Sequence, residues 1–195
     1  MEAFFVSTGI VALGEMGDKT QLLALLLAAR FRKPWPIVGG ILVATLANHA
    51  MAGAVGGWVA AQMGSTVLRW VIGLSFLAMA AWMLVPDTLD DDGLPGTAGR
   101  AARLGVFGTT VVAFFIAEMG DKTQIATVAL AARFTDLWAV VTGTTLGMML
   151  ANVPAVFLGE RVARAVPMGW VHGISAFIFA VLGMLTLLNV GDVFR

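Results

Sequence analysis

Long apolar stretches separated by short polar ones set the pattern of this chain. A helix needs about 20 mostly apolar residues to cross a bilayer. On that measure the pattern predicts six membrane helices, at 4–29, 37–60, 67–85, 104–132, 137–158 and 170–190. The first and fourth are interrupted by polar residues, at 15–21 and 118–124. Trp35, Trp58, Trp70, Trp138 and Trp170 fall near the expected ends, where interfacial aromatics belong. A turn-rich, acidic segment at 86–96 separates the third stretch from the fourth. The expected organisation is a first three-helix unit at 1–86, a linker at 87–103 and a second three-helix unit at 104–195.

Composition agrees with a membrane class. The 195 residues are 59% hydrophobic and 12% charged, against about 25% charged in soluble domains. Lys plus Arg equals Asp plus Glu, 12 each, and no basic stripe suggests a nucleic-acid partner. The absence of cysteine excludes disulfides and thiolate metal sites. The first residues lack a basic segment, and an acidic motif interrupts the first apolar run. A retained span is therefore expected there, not a cleaved signal peptide.

The two halves repeat. Glu15-Met16-Gly17-Asp18-Lys19-Thr20-Gln21 recurs letter for letter as Glu118-Met119-Gly120-Asp121-Lys122-Thr123-Gln124. The match continues from Ala28-Ala29-Arg30-Phe31 to Ala131-Ala132-Arg133-Phe134, and from Trp35 to Trp138. After a one-residue slip, Leu46-Ala47-Asn48 matches Leu150-Ala151-Asn152. Gly73 and Ser75 align with Gly173 and Ser175. An odd number of spans per repeat makes the second copy enter from the opposite side, as in inverted-repeat transporters with a site near the midplane. Seven basic loop residues (Arg30, Arg32, Lys33, Arg100, Arg103, Arg161, Arg164) lie on one side and three (Arg69, Arg133, Arg195) on the other. The richer side is expected in the cytoplasm, together with the linker, with both termini outside.

Each motif puts three ionisable side chains inside an apolar span. Insertion scales assign each about 2.5–3.5 kcal/mol at a helix centre, so such residues usually face a bundle interior or wet cavity and carry function. On a continuous helix Glu15, Asp18 and Lys19 share one face, as do Glu118, Asp121 and Lys122. Gly17 and Gly120 allow either close helix approach or local unwinding that frees carbonyl oxygens for a cation. If the motifs meet, four carboxylates (Glu15, Asp18, Glu118, Asp121) face two ammonium groups (Lys19, Lys122). The sum of minus two complements one divalent cation, and hard oxygen-rich sites suit Mg²⁺, Ca²⁺ and Mn²⁺. Thr20, Thr123, Gln21 and Gln124 could add neutral oxygens, while Met16 and Met119 offer thioethers that would favour Mn²⁺ over Ca²⁺. Clustered carboxylates resist holding all their charge, so a site emptied of metal should take up protons. Metal and protons would then compete for one set of oxygens.

Paired E-x-G-D-K-T motifs in a six-span, two-half chain resemble the family of bacterial manganese exporters and Golgi calcium/manganese–proton exchangers. The resemblance covers essentially the whole chain and implies that Glu15, Asp18, Glu118 and Asp121 form the cation pathway, supported by Lys and Thr of each motif. It implies export of Mn²⁺, with Ca²⁺ as a further substrate, in exchange for protons. The longer N-terminal region of the eukaryotic members is absent, so a bacterial plasma (inner) membrane member is expected. No resident cofactor is expected, since the metal is cargo, and the sequence sets no oligomeric state.

Other features have plainer readings. Exact duplication and net negative charge argue against a purely structural ion-pair network. Asn48 and Asn152 suit interhelical hydrogen bonding, or a ligand or gating role. His49 has no counterpart, since position 153 is Val, and reads as a packed or water-bonded histidine in preference to a proton relay. Gly53-x-x-x-Gly57 and Gly143-x-x-x-Gly147 permit close helix crossing, and Pro154 suits a kink. The aspartates at 90–92 read as a solvated loop. The motif acids would also suit the ammonium group of a basic amino acid, and a divalent-cation channel would use a similar site. No Ser/His pairing or metalloprotease motif points to an enzyme.

Overall fold

The computed structural model describes residues 1–85, 97–158 and 168–190. The acidic segment at 86–96, Arg161, Arg164 and Arg195 lie outside the described residues, as do the aspartates at 90–92. Among the described residues the chain is all-helical. In chain order the helices are α1 (Glu2–Glu15), α2 (Lys19–Phe31), α3 (Pro34–Gln62), α4 (Ser65–Trp82), α5 (Thr97–Glu118), α6 (Lys122–Arg133), α7 (Leu137–Leu158) and α8 (Met168–Leu187). Pro34 opens α3 at a position where its missing N–H is harmless. α5 opens with a leading stretch from Thr97, and a non-helical Gly105, φ +67°, separates that stretch from the rest.

Among the described residues three helices, α3, α4 and α7, are long and apolar enough to cross a membrane. Leu104–Glu118 of α5 together with α6 makes a fourth such span, bent by 72° at the second motif. α1 and α2 are separate helices of 14 and 13 residues, each short of a full crossing. The expected interruptions of the first and fourth stretches are therefore true breaks in the helix. The five tryptophans expected near the ends are all exposed on the surface, as interfacial anchors require.

Two apolar clusters hold the bundle, one toward each end. The first joins Ala3 and Ile10 of α1, Leu68, Ile72 and Phe76 of α4, Leu130 of α6 and Phe179 of α8. The second joins Leu23 and Leu27 of α2, Ile37 and Ile41 of α3, Phe114 of α5 and Val156 of α7. The start of α1 thus shares an end of the molecule with the end of α6, while the start of α5 lies near the start of α3, where Gly39 meets the Phe107 ring. α1 and α5 approach the centre from opposite ends.

The two sequence halves are interleaved, not side by side. α1 and α2 pack on α7 of the other half, and α5 and α6 pack on α3. Glycine makes the crossings possible at equivalent places. A Cβ on Gly40 would stand 2.7 Å from Thr110 Cβ and 2.9 Å from the Phe107 carbonyl oxygen. A Cβ on Gly143 would stand 2.6 Å from the Phe4 carbonyl oxygen and 3.1 Å from Ser7 Cβ. The repeat offset that carries Gly40 to Gly143 also carries Phe4 to Phe107 and Ser7 to Thr110. α4 meets α8 where Gly73 faces Leu187 and Gly183, so Gly73 is a crossing point while its sequence match Gly173 opens on nothing within 4 Å.

Gly143→Ala is expected to lower the thermal midpoint in detergent, since overpacking against backbone costs about 1–3 kcal/mol. Gly57→Ala, which meets nothing within 4 Å, is expected to leave it unchanged. Equal midpoints for the two variants would contradict the close crossing.

Candidate metal site

Each motif breaks its helix in the same way. α1 ends at Glu15, Gly17 takes φ +83°, and Asp18 stands at the N-cap of α2 with φ −76° and ψ 167°. α5 ends at Glu118, Gly120 takes φ +76°, and Asp121 caps α6 with φ −80° and ψ 167°. Left-handed backbone is open to glycine and strains most other residues. The continuous-helix reading of the motifs is thereby excluded, and the glycines serve unwinding.

The glutamine four residues later clamps each break. The Gly17 N–H donates to Gln21 Oε1 at 3.0 Å, and the Gly120 N–H to Gln124 Oε1 at 2.8 Å. Both side-chain carbonyl oxygens thus each accept one backbone N–H of the break. Their amide groups reach across to the other half: Gln21 Nε2 donates to the Ala151 carbonyl at 3.0 Å, and Gln124 Nε2 to Asn48 Oδ1 at 3.4 Å.

Breaking the helices swings the acids inward. Glu15 and Glu118 are fully buried, and Asp18 and Asp121 nearly so. Carboxylate oxygens of Glu15, Glu118 and Asp121 lie within 4.8 Å of one another. The fourth expected acid, Asp18, is buried at the equivalent cap but is not one of these three. Neither Asp18 nor Asp121 caps its own helix through its side chain.

Each member of the triad has one oxygen anchored. The Thr20 hydroxyl donates to Glu15 Oε2 at 2.5 Å, and the Thr123 hydroxyl to Glu118 Oε2 at 3.1 Å. Lys19 Nζ pairs with Asp121 Oδ1 at 2.8 Å, an ion pair between the two halves. The second oxygen of each, Glu15 Oε1, Glu118 Oε1 and Asp121 Oδ2, is buried without a protein hydrogen bond. Thr20, Thr123 and Lys19 thus each engage one oxygen of a carboxylate and leave the other unengaged. Lys122 Nζ donates to the Val85 carbonyl at 3.2 Å, just past α4, a partner nothing in the motif announces. Asn48 Nδ2 donates to the Phe115 carbonyl at 3.0 Å, and Asn152 Nδ2 to Met148 of its own helix at 3.1 Å. Met119 is 60% exposed, so its thioether is not gathered with the buried acids and the expected tilt toward Mn²⁺ loses that ligand.

The arrangement suits a cation by size and charge. Oxygens bonded to a divalent cation at roughly 2.0–2.6 Å lie at most about 4–5 Å apart. Three carboxylates and Lys19 sum to minus two. An all-oxygen set of this kind is what hard divalent cations take.

Comparison with known proteins bears on what the site serves. The family model described as divalent cation/proton antiporter GDT1 matches residues 3–91 and 106–192. This chain belongs to the GDT1 family. It is 47% identical over 188 residues to a Vibrio cholerae protein named "Putative manganese exporter", spanning 95% of this chain and 90% of that protein. It is 29% identical to the GDT1-like protein sll0615 of Synechocystis, spanning 95% and 98%. GDT1-like protein 4 of Oryza sativa subsp. indica is 27% identical, spanning 91% and 70%. No solved structure matches the chain. The GDT1 family is a family of membrane transporters, in agreement with the apolar helices, and the resemblance read from the motifs is to this same family.

The break can be tested without touching the acids. A Cβ on Gly120 meets nothing within 4 Å, so Gly120→Ala tests backbone conformation alone. It is expected to cost about 1–2 kcal/mol in thermal unfolding, with Gly120→Asn milder because Asn tolerates left-handed backbone. No difference among the three proteins would contradict the left-handed break.

Proposed function

We infer that this chain exports Mn²⁺ from the cytoplasm, with Ca²⁺ as a second substrate, in exchange for protons. The observation that carries this reading is the triad: three carboxylates drawn from both motifs, each with one anchored oxygen and one buried oxygen without a partner, all within 4.8 Å. Glu15, Glu118 and Asp121 bind the metal. Asp18 serves as a neighbouring acid on its path. Thr20, Thr123 and Lys19 hold the carboxylates in place, and Lys122 supplies a further positive charge near the site. The family description and the name of the Vibrio cholerae relative support cation exchange and manganese as cargo.

The topology proposed is six spans in two inverted three-helix repeats in the plasma (inner) membrane, with the linker cytoplasmic and both termini outside. The approach of α1 and α5 to the centre from opposite ends supports it. Each broken pair, α1–α2 and α5–α6, then counts as one span. The broken helices also suit a cation electrostatically. Glu15 and Glu118 sit at C-terminal ends, where the helix dipole is negative, while Asp18 and Asp121 sit at N-terminal ends that stabilise their charge.

Exchange follows from competition. A vacant triad carries more buried negative charge than its surroundings tolerate, so protons replace the departing metal. On the cytoplasmic side Mn²⁺ displaces those protons; outside, protons displace Mn²⁺. One set of oxygens serves both ions at different times, which couples their movements in opposite directions.

Mn²⁺ uptake into proteoliposomes with an acidic lumen tests this. Wild-type protein is expected to accumulate Mn²⁺ and to stop when an ionophore collapses the proton gradient. Glu15→Gln, Glu118→Gln and Asp121→Asn are each expected to fall to background. Undiminished uptake by any of the three would reject the site.

The pH dependence has a definite sign. Metal binds the deprotonated carboxylates, so acidifying the loading side raises the half-saturating Mn²⁺ concentration, by up to about tenfold per pH unit for each proton displaced. A half-saturation independent of pH would contradict proton competition.

A further inference from the structure

Asn48 on α3 and Asn152 on α7 occupy equivalent places in the repeat, yet their side chains are bonded differently. Asn48 completes a relay. Gln124 Nε2 of α6 donates to Asn48 Oδ1 at 3.4 Å, and Asn48 Nδ2 donates to the Phe115 carbonyl of α5 at 3.0 Å. One amide thus ties both arms of the second motif to α3.

On the other side the relay is undone. Gln21 Nε2 donates to the Ala151 carbonyl and not to Asn152. Asn152 Nδ2 turns back on its own helix, to the Met148 carbonyl at 3.1 Å and Met148 Sδ at 2.9 Å. Asn152 Oδ1 is left without any partner, in a side chain that is fully buried. Buried acceptors are rarely orphaned, and one that is calls for an explanation.

Helix packing departs from symmetry in the same structure. α4 packs against α6, and α1 against α8. Exchanging the halves would pair α8 with α2 and α4 with α5, and among the described residues those pairs make no comparable contact. These contacts, α4 on α6 and α1 on α8, cover the end of the molecule that holds the start of α1.

We propose that Asn48 and Asn152 are paired positioning residues of the transport reaction, and that the relay passes from one to the other as the site turns between the two ends of the molecule. The proposal rests on the transport reading above. In the alternate state Gln21 Nε2 meets Asn152 Oδ1, and Asn152 Nδ2 donates to the carbonyl of Ala12, the residue equivalent to Phe115. Asn48 then turns back toward Ala44, the equivalent of Met148. The orphaned oxygen of Asn152 is the receiving half of a bond this state does not make. Both asparagines act through the glutamines that clamp the motif breaks, and neither needs to touch the metal.

The chain has no cysteine, so a single introduced thiol reports on the end where α6 packs on α4. Ala129 of α6 is buried in the cluster that α6 shares with α4. In an Ala129→Cys background, Asn48→Leu removes the relay of the present state and is expected to speed labelling by a water-soluble maleimide. Asn152→Leu removes the relay of the alternate state and is expected to slow it. Each change is expected to be about fivefold, the population shift that one buried neutral hydrogen bond commands. The double variant is expected to return near the parent rate, which two independent structural defects would not do. The milder Asn48→Ser and Asn152→Ser pair repeats the signs should the leucine variants not fold.

In vesicles of defined orientation, the ratio of half-saturating Mn²⁺ at the linker face to that at the opposite face is expected to rise with Asn48→Leu and fall with Asn152→Leu. Labelling changes in the same direction for both variants, or none for either, would overturn the proposal. Opposite labelling shifts in a protein that moves no Mn²⁺ would instead support the paired asparagines and remove the transport reading.

Discussion

Carboxylates held away from water govern this structure. A charged group in an apolar interior is costly unless something compensates it, and this chain buries Glu15, Glu118 and Asp121 within 4.8 Å of one another. The local architecture reads as a response to that constraint. Thr20 and Thr123 each donate to a glutamate, and Lys19 crosses between the halves to Asp121. The compensation stops short: one oxygen of each carboxylate is left unmatched by the protein. A purely structural network would gain by matching them all. A site that must accept a cation and later release it gains by leaving the last contacts to the ion.

The breaks in α1–α2 and α5–α6 are the means by which the acids reach the centre. A straight helix carrying the motif would present Glu15 and Lys19 on one face of one rod. The left-handed glycine instead ends one helix at the glutamate and starts the next at the aspartate, so two helix ends of opposite polarity meet at the site. The glutamines keep the broken backbone satisfied and fasten it to the long helix of the other half. Because each motif hairpin lies on the opposite half's long helix, the sequence halves are not the mechanical bodies. The two halves cannot be pulled apart without lifting each motif hairpin off the long helix it lies on.

The gathering of three motif acids at one place is legible in the sequence. The letter-for-letter repeat of seven residues within apolar stretches singled out the acids, and the apolar lengths located the helices around them. What escaped the reading had physical reasons. The motif spacing is compatible with both a continuous and a broken helix, so only the positive φ at Gly17 and Gly120 distinguishes them. A glutamine oxygen serves a metal and a backbone N–H equally well in principle, and the use of Gln21 and Gln124 as clamps follows from where the break leaves an amide exposed. Met119 stands beside Glu118 in sequence, but the turn directs it outward. The Val85 carbonyl that receives Lys122 is 37 residues distant along the chain and carries no side-chain signature. The interleaving of the halves was beyond reach, because a repeat in sequence fixes equivalence and says nothing of which copy each helix packs upon.

The central claim is that two separate motifs share one ion, and anomalous diffraction at the manganese edge from crystals soaked in Mn²⁺ tests it most directly. The expected result is a single strong peak among Glu15, Glu118 and Asp121, absent in the Glu118→Gln protein. A peak bound by one motif alone, or manganese found only on the acidic loop or the surface, would contradict it.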